Sequence, residues 1–241
     1  MRKSKREAQQ LATTEVEVEV ETADLDDVEV SIESLEDAEV EVFDDSKSAP
    51  ADRADTGPLD ETEASPVRPY VDLGGVKILP RDGLHLRLEV EEGSKRVVAV
   101  GLDFAKSTLQ VQPFAAPRST GLWNEIREQI TEQIQRQGGT TAEVDGPFGP
   151  EVRAEIPVMG GDASTTRRAR FIGVDGPRWF LRGVIAGEAA VDPEAAEKIE
   201  ELFRSVVVVR GSTPMAPRDL IPLTMPKAGP TDAPSTTPSR V

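Results

Sequence analysis

The sequence predicts an α+β domain: one antiparallel sheet of about 6–8 short strands, carrying two amphipathic helices at about 119–137 and 192–206. Three observations predict it. From Tyr70 onward, short β-type runs are broken by Gly, Pro and Asp. Two segments instead repeat their apolar residues about every four positions. A run of strands, a helix, more strands and a second helix lacks the βαβ alternation of a doubly wound fold.

Charge and aromatic residues set the domain boundaries. The 241 residues carry a net charge of -16, and residues 1–64 hold 21 Asp+Glu against 6 Lys+Arg, so the acidity is concentrated there. Both Trp, the single Tyr and six of the seven Phe lie beyond residue 64. A stretch of like charge and low hydropathy cannot bury enough apolar surface to offset chain entropy, so residues 1–65 are expected to be a disordered acidic tail and linker. Residues 66–211 are then a single α+β domain, and the Pro-rich residues 212–241 an extended or disordered tail. With no Cys there is no disulfide framework, thiolate nucleophile or Cys-ligated metal, and one His cannot build a multi-histidine site. The basic start lacks an apolar stretch behind it, and no run approaches the ~20 apolar residues of a membrane helix, so the expected location is the cytoplasm.

The elements follow in order. Residues 15–45 alternate Val with acid at a strand-like period, yet pairing would oppose carboxylates, which favours a solvated chain. "YVDLGGVKILP" reads as two short strands about Gly74 and Gly75. "GLHLRLEVEE" places Leu84, Leu86, Leu88 and Val90 on one face. "RVVAVGLDFA" and "STLQVQPFAAP" complete a meander. Leu122, Ile126, Ile130 and Ile134 mark the first helix, which Gly138 and Gly139 stop. Two strand-turn-strand units follow, each turning at "VDGP". Asp192 caps the second helix, Pro193 opens it, and Ala195, Ile199, Leu202, Phe203 and Val206 form its apolar face. "VVVVRG" is a closing strand.

The stretch "RFIGVDGPRWFLRG" holds glycine and arginine, but a phosphate-cradling loop opens directly into a helix and this one continues as a strand. It is therefore a hairpin turn, with Asp175 and Gly176 at its centre. Pairing about that turn brings up to four arginines, Arg168, Arg170, Arg178 and Arg182, onto one face. Two readings stand: an anion-binding, nucleic-acid-binding or partner-binding face, since guanidinium forks suit phosphate, or a solvated face neutralised by Glu151, Glu155 or the acidic tail. His85 reads as a surface histidine, and Trp123 and Trp179 as core. The sequence carries no catalytic constellation, cofactor motif or metal-ligand set.

Taken in order, "PFAAPRSTGLWNEIREQI", "GGTTAEVDGPFGPEV", "RFIGVDGPRWFLRGVIAG" and "DPEAAEKIEELFRSVVVVRGSTPMAPRDLIPL" closely resemble an uncharacterised domain-of-unknown-function family of actinobacteria, over about residues 66–225. The resemblance implies a small cytoplasmic protein with an acidic, variable N-terminus, and it transfers no activity. The element order also looks like the Mog1/PsbP-type sandwich, a fold-level analogy without functional content. The expectation is a non-enzymatic protein-interaction module with an unknown protein partner and no cofactor. The alternative is a nucleic-acid-associated or nucleotide-associated accessory protein acting through the arginine face.

Overall fold

The computed structural model describes residues 44–91, 93, 95–158 and 166–226. The Val/Glu alternation of residues 15–45 lies outside the described residues except for Asp44 and Asp45, and so does the end of the Pro-rich tail. The chain order is α1 (Arg53–Thr56), β1 (Leu59–Asp60), β2 (Val71–Asp72), β3 (Val76–Ile78), β4 (His85–Val90), β5 (Val97–Phe104), β6 (Ser107–Ala115), α2 (Trp123–Arg136), β7 (Thr140–Gly146), β8 (Gly149–Pro157), β9 (Thr166–Asp175), β10 (Trp179–Gly187), a 3-10 turn (Glu188–Ala190), α3 (Pro193–Arg204) and β11 (Val207–Val208). Seven strands form an antiparallel sheet in the order β4-β5-β6-β10-β9-β8-β7. The architecture is α+β, as the sequence predicts. A second sheet, β1-β11-β3-β2, was not anticipated as a separate layer.

Alternation along each strand sorts residues between two faces. The inner face presents Leu102, Leu109, Val111, Leu181, Ile185 and Ile172, all at most 1% exposed, to α3 and the small sheet. Burying each such side chain contributes roughly 1.5–3 kcal/mol, so a one-residue slip of β10 would forfeit roughly 3–6 kcal/mol from Leu181 and Ile185 together. The register is therefore firmly set. On the outer face, Trp123, Ile130 and Ile134 of α2 pack with Leu122, Phe180 and Ala154. The second helix starts as its cap residues demand, with the Asp192 carboxylate accepting from the Ala195 N–H at 2.8 Å.

The "VDGP" turns differ from expectation. Asp175 stands opposite Phe180 and the Gly176 N–H donates to Trp179 O at 2.8 Å, which leaves Pro177 and Arg178 as the corner. Gly146 likewise pairs with Gly149 around Pro147 and Phe148. Proline's fixed φ sets the first corner position in both. The glycines before it serve close approach: a Cβ on Gly176 would lie 2.1 Å from the Trp179 ring, and one on Gly146 would lie 2.4 Å from Glu151 Oε2.

Left-handed strain lies elsewhere, at the β5–β6 turn, where Ala105 and Lys106 have φ of 48° and 59°. Two-residue hairpins of this kind favour Asn-Gly. Replacing Ala105 with Asn and Lys106 with Gly is expected to raise stability by about 1 kcal/mol, read as a shift in urea midpoint at constant m-value. The Lys106–Glu188 ion pair that is lost is exposed and offsets little of this.

The linker expectation fails over residues 44–65. β1 runs parallel to β11, with Leu59 opposite Val207 and Asp60 opposite Val208. Asp60 Oδ2 accepts from Trp179 Nε1 at 2.9 Å, and Arg53 bonds Glu63 at 2.6 Å while stacking on Trp179. Composition misses this segment because its order comes from long-range partners rather than from apolar content of its own. At the other end, Ile221 and Leu223 are buried, so the Pro-rich tail packs through part of its length.

Candidate functional site

The four arginines singled out by the sequence do not share a face. Gly173 stands opposite Arg182, and Ile185 opposite Arg170, so Arg182 lies on the outer face and Arg170 on the inner one. Arg168, in phase with Arg170, pairs with Glu155 at 2.9 Å. Arg178 sits in the turn and donates to Gly211 O at 3.1 Å. The Asp175-to-Phe180 register couples even-numbered positions of β10 to odd-numbered positions of β9. The β9 arginine that shares the outer face with Arg182 is thus Arg167, six positions along the strand from Gly173, which sequence reasoning missed because the answer depends on the parity of the turn.

Arg170 is 4% exposed and Glu151 1%. Its guanidinium grips Glu151 in a two-pronged bond, Nε to Oε1 at 3.0 Å and Nη2 to Oε2 at 2.8 Å, and also reaches Glu200 at 2.6 Å. Arg153 adds a bond to Glu151 at 2.9 Å. Burial works against the charge of Arg170, but the bonds to Glu151 and Glu200 win and hold its pKa above the ordinary arginine value. This network borders a cleft of about 340 Å³ under the start of α3. Arg170 spends its donors inside the protein. It ties β8, β9 and α3 together.

Asp175 is 3% exposed and does the capping that Leu122 cannot. Its carboxylate accepts from the Leu122 N–H at 2.8 Å, the Trp123 N–H at 3.3 Å and the Ser48 N–H at 3.1 Å. Lys47, from the same irregular strap of residues 44–52 that precedes α1, donates to the carbonyls of Gly176, Pro177 and Pro117. Burial outweighs the three N–H donors and Lys47, so the Asp175 pKa is raised above the ordinary carboxylate range. A raised folded pKa means that folding takes up a proton. The contribution of Asp175 is complete below its unfolded pKa and is lost as pH rises through the folded one. Wild type should therefore gain stability relative to Asp175→Asn as pH falls through the raised folded pKa toward the ordinary carboxylate value of about 4. Urea melts in which that gap narrows on acidification would contradict the assignment.

The outer face is only half covered. α2 lies over β7, β8 and β9, leaving a groove of about 440 Å³ along β10, bordered by β4–β6 on one side and β9 on the other. Val184, Ala169 and Ala186 form its floor, with Gln110 and Glu89, which bond each other, on one wall. Arg182 projects into it, half-buried, over the ring of Phe114 at 6.0 Å, and bonds Gln112. Burial draws its pKa down, and no carboxylate offsets this.

His85 is exposed at the start of β4, while Trp123 and Trp179 are fully buried, as expected of a surface histidine and two core indoles. Among the described residues no group of three or more His, Cys, Asp and Glu can hold a metal ion, and no helix is long and apolar enough to cross a membrane.

Comparison with curated proteins gives no match. Among solved structures, the chain is similar to the solution structure of cyanobacterial PsbP (CyanoP) from Synechocystis sp. PCC 6803, at 13% identity and a TM-score of 0.32. That likeness covers 56% of this chain and 87% of the other, and carries no functional argument. A family model described as "Protein of unknown function (DUF3710)" matches residues 57–231, beginning inside the stretch that composition assigned to the linker, and the chain belongs to that family.

Proposed function

We propose that this protein is a non-enzymatic binding module that docks a partner protein on the uncovered half of its outer sheet face. The observation that carries the reading is the half-covered sheet: one amphipathic helix lies on it, and beside that helix runs a groove with an apolar floor and polar walls. The other perturbed buried groups support it. Asp175 is engaged by three backbone N–H donors, and Arg170 by two carboxylates, so neither is poised for proton transfer.

The test is recovery of tagged full-length protein from its own cells, with and without Val184→Lys, which puts a charge on the groove floor. The expected result is a stoichiometric co-purifying protein that Val184→Lys loses while the melting temperature stays within about 2 °C. An unchanged set of co-purifying proteins, or turnover of a metabolite by the purified chain, would overturn the reading.

A further inference from the structure

We infer that the groove takes an acidic amphipathic helix of a partner protein, its carboxylates meeting Arg182 and Arg167 and its apolar side chains lying on Val184, Ala169 and Ala186. The inference rests on the docking surface proposed above and adds the chemistry of its occupant.

The first support is unbalanced charge. Several arginines of low exposure elsewhere in the fold are matched by carboxylates, Arg53 by Glu63 at 2.6 Å, Arg127 by Glu143 at 2.9 Å and Arg170 by Glu151 at 2.8 Å, whereas Arg204 and Arg210, outside the groove, bond only hydroxyl or carbonyl oxygens and Arg210 also has a buried Nε without an acceptor. Arg182 has the neutral Gln112 instead, and its buried Nε lacks an acceptor. Three arginines and one glutamate line the groove, and of the three Arg87 is already held by Asp103 at 2.6 Å. Arg182 and Arg167 remain to answer an incoming anion.

The second support is spacing. By register, Arg167 lies six positions along the sheet from the level of Arg182, about 20 Å at roughly 3.3 Å per residue. One small anion cannot bridge that distance, but carboxylates about three helical turns apart can, once the arginine side chains reach inward. Between them lies the apolar floor.

The third support is the backbone. β6, β10 and β9 are interior strands, paired on both sides, so they have no free ladder to offer an extended peptide. A helix satisfies its own backbone and asks only for side-chain contacts, as α2 already does on the same sheet. Nucleic acid fits less well. Two guanidiniums neutralise few phosphates, the chain carries a net charge of -16, and Phe114 and Phe171 are half-buried rather than presented for stacking.

The experiment is an anisotropy titration of the full chain at low salt. Its probes are a synthetic helical peptide of about 18 residues, with Glu near each end and a Leu/Ala stripe, its Glu→Gln twin, and a single-stranded oligonucleotide. The expected result is binding of the Glu peptide that falls at least tenfold in Arg182→Gln and in Arg167→Gln, as loss of a charge-assisted bond requires. Arg168→Gln, on the inner face, should leave it unchanged. Arg167 is exposed, so its variant reports on binding without disturbing the fold. Equal affinity for both peptides, no binding at all, or tighter binding of the oligonucleotide would overturn the inference. Peptide binding that survives both arginine variants but vanishes with Val184→Lys would remove charge recognition and leave the docking surface standing. Indifference to all three variants would remove both.

Discussion

Glu151→Ala is expected to lower folding stability by about 3–5 kcal/mol. Glu151 and Arg170 have side chains only 1% and 5% exposed, and the substitution leaves the guanidinium buried with Glu200 as its remaining carboxylate. The loss comes mainly from the stranded charge, since a buried ion pair roughly breaks even against apolar groups of similar volume. The double variant Glu151→Leu with Arg170→Met should therefore recover most of the loss. Arg153, also left without its partner, is largely exposed and adds little. Urea melts that show less than about 1 kcal/mol for Glu151→Ala would mean that water reaches this pair.

Truncation ranks second in expected effect. A chain beginning at residue 44 keeps the strap and β1, whereas one beginning at residue 66 loses both. The shorter chain leaves the Trp179 indole N–H without Asp60, the Leu59 and Glu61 N–H bonds to Val206 and Val208 unmade, Asp175 without the Ser48 N–H, and the Gly176 carbonyl without Lys47. A buried donor left unpaired costs about 1–3 kcal/mol, and several such losses rival the roughly 5–15 kcal/mol that holds a domain together. The expected outcome is a cooperative melt for the chain from 44 and a broad or absent one for the chain from 66. Equal melting temperatures would show that residues 44–65 are dispensable.

The contrast marks where the sequence was legible. α3 was readable because Asp192 and Pro193 announce a helix start through local chemistry, and the cap bond forms as the pair predicts. β6 was readable because its alternation sends Leu109 and Val111 inward and leaves Gln110 and Gln112 half-buried outward. β1 was not readable: two residues, Leu59 and Asp60, become a strand only because Val207 and Val208 wait almost 150 positions away. The arginine face failed for a related reason. Arg182 lines the groove, but a two-residue corner, whether at Asp175–Gly176 or at Pro177–Arg178, sets even positions of β10 against odd positions of β9, so Arg168 and Arg170 fall on the opposite face from Arg182. That Arg182 lacks a carboxylate is a property of the folded surface alone.

The account's central claim is that the uncovered half of the outer face is where a partner docks. Its most direct measurement is a methyl NMR spectrum of the full chain, recorded as the Glu-bearing helical peptide is added. Shifts concentrated at Val184 and Ile156, which line the groove, with Leu109 and Val111 on the inner face unmoved, are the predicted result. Shifts centred instead on Val191, beside the cleft at the start of α3, with Val184 silent, would contradict it.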